Sequence, residues 1–142
     1  MNSATARSSK AETAPTRSVA RKATAVTFSV DIACVLAFVI IGRHSHHHGE
    51  TAGGVWQTAW PFLIGLAIGW LTARAWRQPL SIVPAGIGAW IGAAGLGMIV
   101  RVLAGQGTAV AFIGVTAGFL ALCLLGWRIA TRIVMTRMRA AS

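Results

Sequence analysis

Four long apolar runs separated by short polar connections restrict what this chain can fold into more than any other feature of its sequence. They cover residues 25–42, 55–73, 82–100 and 108–127. At 1.5 Å of rise per residue, a helix of about 20 residues matches a hydrocarbon core about 30 Å thick. None of the runs alternates polar and apolar residues, which excludes a β-barrel. The short connections make consecutive helices antiparallel neighbours. The expected fold is all-α: a polytopic membrane protein whose four transmembrane helices form an up-down antiparallel bundle.

The basic residues set the expected orientation. Of the 13 Lys and Arg residues, all but two fall on one side of the four runs. Arg7, Lys10, Arg17, Arg21 and Lys22 precede the first run, Arg74 and Arg77 lie between the second and third, and Arg128, Arg132, Arg137 and Arg139 follow the fourth. Only Arg43 and Arg101 fall on the opposite side. Cytoplasmic ends carry the excess of Lys and Arg, so both termini are expected in the cytoplasm and the protein in the cell's inner membrane. Trp56, Trp60, Trp76 and Trp127 stand near run ends, as interfacial belts require, whereas Trp90 lies deep in the third run and reads as packing.

Composition agrees with this class. Hydrophobic residues make up 55% of the chain and charged residues 11%, well under the roughly 25% charged of soluble domains. The net charge of +10 is distributed at the ends of apolar runs, not along one continuous face, and this argues against nucleic-acid binding. Residues 1–24 are rich in Ala, Ser, Thr and Arg without helical or strand periodicity and read as a disordered, retained cytoplasmic tail. The transmembrane domain is expected over residues 25–134, with a second basic tail over residues 135–142. Cys34 and Cys123 both lie inside apolar runs and read as small buried hydrophobes, with no CxxC to hold zinc.

Small residues suggest how the helices meet. Gly65 and Gly69, Gly88 and Gly92, and Gly114 and Gly118 are GxxxG pairs on three different runs. In lipid, close backbone approach holds helices together, so a tight bundle is expected, with Gly faces left over for a second copy in a homodimer. A faint repeat accompanies them. Thr58-Ala59-x-x-Phe62 matches Thr108-Ala109-x-x-Phe112, and Gly69-Trp70 with Arg74 matches Gly126-Trp127 with Arg128. Such a repeat would relate two parallel hairpins.

Several strings together carry a resemblance: Asp31 in the first run, Gly42-Arg43-x-Ser45-His46, Trp60-Pro61-Phe62 with Gly69-Trp70, Arg74-Ala75-Trp76-Arg77-x-Pro79, and Arg101 followed by Gly105-Gln106-Gly107-Thr108-Ala109. Over residues 29–128 the chain resembles a family of bacterial integral-membrane proteins of unknown function. The resemblance implies the same four-helix architecture and transfers no activity.

Three groups of residues invite a functional reading. Asp31 is the only acid inside an apolar run, and a carboxylate there must pair, protonate or meet water. Arg74 and Arg128, at the expected inner ends of the second and fourth helices, are its candidate partners. It reads equally as a transport group, a structural ion pair, or a carboxylate favoured by a helix N-terminus. Arg43, His46, Arg101, Gln106 and Thr108 gather at the opposite end. There the Gly105-Gln106-Gly107 turn can present amides and Thr108 can cap the fourth helix, giving an expected anion site. The competing reading makes Arg43 and Arg101 plain helix-terminal cations. His44, His46, His47 and His48, with Glu50, offer weak metal binding, but contiguous loop histidines read better as solvated.

No Ser-His-Asp or Cys-His set, phosphate loop or HExxH occurs, so no enzyme and no cofactor is expected. The first functional expectation is a small oligomeric ion or solute transport component in the lipid bilayer. The alternative is a non-transporting accessory or assembly module that binds a partner protein or anionic lipid. A water-filled path at Asp31 distinguishes the first from the second, which needs a dry, salt-bridged Asp31.

Overall fold

The computed structural model describes residues 17–44 and 51–141, and every regular element among them is helical. Helix α1 is Arg17–His44, α2 is Ala52–Thr72, α3 is Ile82–Leu103 and α4 is Val110–Ala140. A single 3₁₀ turn, Ala75–Arg77, follows α2. Helix α1 starts earlier than residue 25 because the preceding Ala, Arg and Lys residues are good helix formers. Residues 17–24, expected in the tail, are therefore helical. Helix α4 likewise runs past Trp127 to Ala140, so most of the expected C-terminal tail continues the helix.

Helices α1, α3 and α4 are each long and apolar enough to cross a membrane. Helix α2 is 21 residues long, and Gln57, Thr58, Pro61 and its tryptophans dilute its apolar character. That composition suits its position. Ala59, Pro61, Phe62, Gly65, Leu66, Gly69 and Trp70 are all buried, more residues than either α1 or α4 contributes to the interior. Large apolar side chains instead cover the outside of the molecule, with Leu103 at 81%, Val110 at 85% and Leu122 at 74% exposure. An exterior this apolar is the signature of a surface made for something other than water.

Glycine sets the distance between α2 and α3. A Cβ on Gly65 would fall on the carbonyl oxygen of Gly92, and one on Gly69 would fall on the carbonyl oxygen of Gly88. Gly97 packs so closely that its Cβ would lie 2.9 Å from the Cα of Phe62. Residue numbers rise along α2 as they fall along α3, so the two helices are antiparallel. Backbone touches backbone here, which only a residue without a side chain permits. The α3 backbone widens to π-type turns over Ile82–Gly86 and Ile91–Leu96 along the same stretch. Gly114, Gly118 and Gly126 on α4, by contrast, meet nothing within 4 Å.

Pro61 leaves a vacancy in the α2 hydrogen-bond ladder that the fold repairs from outside. Proline has no N–H, so the carbonyl of Gln57, four residues earlier, loses its helical donor. Gln106 Nε2, in the turn between α3 and α4, donates to that oxygen at 3.0 Å. On the interior side an aromatic cluster joins three helices. Phe38 of α1 meets Phe62 of α2 edge-on at 5.5 Å and Phe119 of α4 at 5.6 Å. The buried Thr116 hydroxyl donates to the Phe112 carbonyl at 2.7 Å, so it adds no unsatisfied group.

The glycine contacts predict unequal substitutions. Gly92→Leu drives a side chain into the α2 backbone and should destabilise the protein in detergent by at least about 1–3 kcal/mol, the usual cost of overpacking. Gly118→Leu and Ile91→Leu, at open positions, should stay within about 0.5 kcal/mol of the parent. Thermal unfolding of the three variants side by side checks this, and equal losses would remove the α2–α3 contact from its structural role.

Candidate functional site

The charged centre of the molecule is Asp31. It stands roughly 21 Å along α1 from Arg17 by helix rise, far from the first turn. The reading in which a helix N-terminus stabilises its carboxylate is thereby corrected. Asp31 is fully buried and so is Arg128 of α4. The guanidinium meets the carboxylate as a fork: Nη1 donates to Oδ1 at 2.8 Å and Nη2 to Oδ2 at 2.7 Å. Two indoles complete the shell. Trp70 Nε1 donates to Oδ2 at 2.8 Å and Trp127 Nε1 to Oδ1 at 3.1 Å.

An ionised carboxylate offers about four lone-pair sites. Here four N–H donors occupy them, two on each oxygen. Arg128 is held as firmly as its partner. Nη1 also donates to the Leu124 carbonyl at 2.8 Å, Nε donates to the Pro79 carbonyl at 3.3 Å, and the guanidinium lies 4.7 Å from the Trp127 ring centroid. Gly86 at the start of α3 makes room for it, since a Cβ there would lie 3.1 Å from the Arg128 Cδ. Buried ions need such complete pairing, because the desolvation of each costs several kcal/mol.

Arg128 sits in the interior of α4, which runs on to Ala140, and it turns inward to Asp31. Arg74 does not join it. It lies exposed in the connection after α2, in left-handed backbone conformation with φ of 47°, where it opens the 3₁₀ turn. The chain reverses direction at Arg74, and the side chain follows the turn outward. Trp70 and Trp127 were legible only as parts of the two Gly-Trp pairs, and Trp127 alone read as an interfacial anchor. In the structure the two pairs deliver their indoles to the two oxygens of one carboxylate.

At the C-terminal end of α1, Arg43 and Arg101 line one cavity of about 670 Å³, together with Phe38, Thr58 and Phe112. Arg43 Nη1 donates to the Thr58 hydroxyl at 3.3 Å. Arg101 Nη1 donates to Gln106 Oε1 at 2.8 Å and its Nε to the Gly107 carbonyl at 3.2 Å, with the Phe112 ring 4.8 Å beneath. The Gly105-Gln106-Gly107 turn does not present its first two amides. Gly105 N–H donates to the Val102 carbonyl at 3.0 Å and Gln106 N–H to the Arg101 carbonyl at 3.1 Å, closing the end of α3. Gly105 and Gly107 take φ values of 72° and 63°, which favour glycine.

Thr108 is not the cap of α4. Ala109 takes that position and no side chain caps the helix. Among the expected anion-site residues, the structure thus joins Arg43 and Arg101 at one cavity and ties Gln106 to Arg101, with Thr108 beside them in the turn. His46, His47, His48 and Glu50 lie outside the described residues. His44 is the exposed last residue of α1, and no group of three His, Cys, Asp or Glu side chains occurs among the described residues. Cys34 and Cys123 are free, partly buried thiols.

A helical protein with membrane-compatible helices, closed around one buried carboxylate–guanidinium pair, is the class that fold and site define. Within that class the chain belongs to the family described as "Protein of unknown function (DUF3054)", whose model matches residues 28–131. No curated protein and no solved structure matches it. The matched span begins just before Asp31 and ends just after Arg128, so it takes in both partners of the pair.

The pair predicts a specific pattern of stabilities in detergent. Asp31→Asn strands the guanidinium and should cost about 3–5 kcal/mol, the loss typical of breaking a buried pair. Adding Arg128→Met removes the stranded charge and should recover part of the loss. Trp70→Phe deletes one charge-assisted hydrogen bond and should cost about 1.5–3 kcal/mol. Arg74→Gln should unfold with the parent. Thermal unfolding of this series measures all four, and a loss in Arg74→Gln equal to that in Asp31→Asn would misassign the partner.

Proposed function

We propose that this protein is a four-helix integral membrane module of the inner membrane that carries no solute through its own interior. In this reading α2 spans the bilayer with the other three helices in an up-down antiparallel bundle, and both termini are cytoplasmic. The eleven-to-two division of Lys and Arg supports that orientation. The Gly65/Gly69 and Gly88/Gly92 pairs act as helix-packing motifs within the membrane. The observation that carries the reading is the Asp31 carboxylate, fully buried with four donors on its two oxygens.

A transport group must exchange a proton, an ion or a water molecule during its cycle. Asp31 offers no open acceptor position for any of these, and its guanidinium partner is fixed by two backbone carbonyls. The transport reading rested on Asp31 being accessible, and the closed pair favours the module instead. Such a module acts through its surfaces: its outer apolar faces, its basic ends, and whatever these hold. No catalytic step is assigned to it.

Two measurements test the proposal. Proteoliposomes containing the purified chain should show proton and cation flux equal to that of empty vesicles, and Asp31→Asn should not change it. Flux that depends on Asp31 would overturn the closed-module reading. Single cysteines introduced at Glu50 and Gln78 in a Cys34→Ala/Cys123→Ala background should label from outside the cell and only after permeabilisation, respectively. Outside labelling at position 78 would reverse the orientation.

A further inference from the structure

We infer that the cavity between Arg43 and Arg101 holds the phosphate head of an anionic lipid, with an acyl chain leaving along the Val115 flank of α4. The two arginines come from different helices, α1 and α3, and line one space. Arg101 is half-buried, and the groups it meets among the described residues are neutral: an amide oxygen, a backbone carbonyl and an aromatic ring. Asp31 is the only carboxylate side chain among the described residues. It stands roughly 18 Å from Arg43 along α1 and is fully engaged by Arg128. Asp31 therefore does not neutralise Arg101, and an anion from outside the chain complements that guanidinium.

The chemistry of the walls selects among anions. Apart from the arginines and the Thr58 hydroxyl, the cavity is lined by carbon: Phe38, Phe112 and Val115 among others. Its volume of about 670 Å³ exceeds what a small inorganic anion fills. Val115 lines the cavity and is also 62% exposed on the outside of α4, so the space continues onto an apolar flank. A cationic rim that passes into an apolar flank fits an amphiphile, with charge at one end and hydrocarbon at the other. Gln106 holds the Arg101 fork in place from behind through Oε1, while its amide nitrogen is anchored on the Gln57 carbonyl. Arginine forks bind phosphate oxygens in a bidentate manner, which suits a diester head.

The inference rests on the reading that these helices stand in a membrane, but not on whether the module conducts. The test uses the full chain purified in neutral detergent, with radiolabelled phosphatidylglycerol and phosphatidylcholine as probes. The parent should bind phosphatidylglycerol at least about tenfold more tightly than phosphatidylcholine, a difference of about 1.4 kcal/mol. Arg101→Gln should abolish that preference, and Arg101→Lys should keep part of it because lysine lacks the planar fork. Val115→Trp leaves the polar contacts of both arginines in place and narrows the cavity from its apolar side. It should also lose the lipid while unfolding at the parent temperature. Arg74→Gln, at the far end, should bind as the parent does.

Millimolar inorganic phosphate or glycerol 3-phosphate should fail to displace the lipid. Displacement by either would make this a site for a free anion and overturn the lipid assignment. Equal binding of the two lipids, or unchanged phosphatidylglycerol binding in both Arg101→Gln and Val115→Trp, would overturn the site itself. Flux through proteoliposomes would leave these results standing, so the two proposals fail separately.

Discussion

The buried Asp31 carboxylate is the constraint to which the packing of the helices answers. Removing one negative charge from water costs several kcal/mol, and the interior must return that with fixed donors. No single neighbour supplies them. Trp70 comes from α2, Trp127 and Arg128 from α4, and the Pro79 carbonyl that steadies Arg128 comes from the segment leading into α3. Each donor has a geometric range of a few tenths of an ångström, so meeting all of them fixes where α2 and α4 stand against α1. Phe28, packed edge-on to Trp70 at 4.9 Å, holds the indole in the plane it needs. The pair thus acts as a registry device, specifying one arrangement of helices among the many that apolar contact alone would accept.

Helix α3 is positioned by the opposite means. It contributes no side chain to the ion pair and meets α2 through glycine backbone, where attraction is diffuse but the closest approach is sharply defined. Dispersion grows with the number of atoms in contact, and removing side chains brings whole backbones within range. Trp90 then secures the other face of α3 by donating to the Ala117 carbonyl of α4 at 2.9 Å. Helix α2 is thus pinned by a polar contact on one side and by steric fit on the other. It must offer a donor to α1, bare backbone to α3, and tolerate a proline besides.

Much of this was legible in the residues. The runs 25–42 and 82–100 fall within α1 and α3, the runs 55–73 and 108–127 overrun α2 and α4 by one or two residues, and Asp31 demanded a counter-charge from another helix. The helix ends were less legible, because residues 17–24 and 128–140 are polar enough to resemble tails and still have good intrinsic helix propensity. That error hid the position of Arg128, which looked terminal and is internal. Choosing between Arg74 and Arg128 was beyond the sequence, since each comes after a Gly-Trp pair, Arg74 four residues past Trp70 and Arg128 directly after Trp127. The left-handed turn at Arg74, a backbone event with no glycine to announce it, takes that side chain away. At the other end, Gln106 read as a ligand for an anion, when its amide nitrogen is committed to the carbonyl freed by Pro61. The signal was present as a proline in an apolar run, four residues after a glutamine, but the donor lies 49 residues along the chain.

The middle and the C-terminal end of α1 therefore face arginines under contrary conditions. In the middle the guanidinium is sealed, with a carboxylate, two carbonyls and an indole around it, and nothing remains for it to bind. At the C-terminal end, Gln106 and Gly107 orient Arg101 through neutral acceptors, and Phe112 supports it from beneath, without cancelling its charge. Orientation without neutralisation is what a binding group requires and what a structural ion pair lacks. Because Gln106 also spans to α2, the position of Arg101 depends on the same α2 that Trp70 fixes at Asp31. A change in how the far cavity is filled would be felt by α2 through the Gln106–Gln57 hydrogen bond, and a loosened Asp31 pair would be felt by Arg101 along the same route. Helix α2, which carries no charged side chain of its own, is in this way the one that mechanically joins the two charged regions.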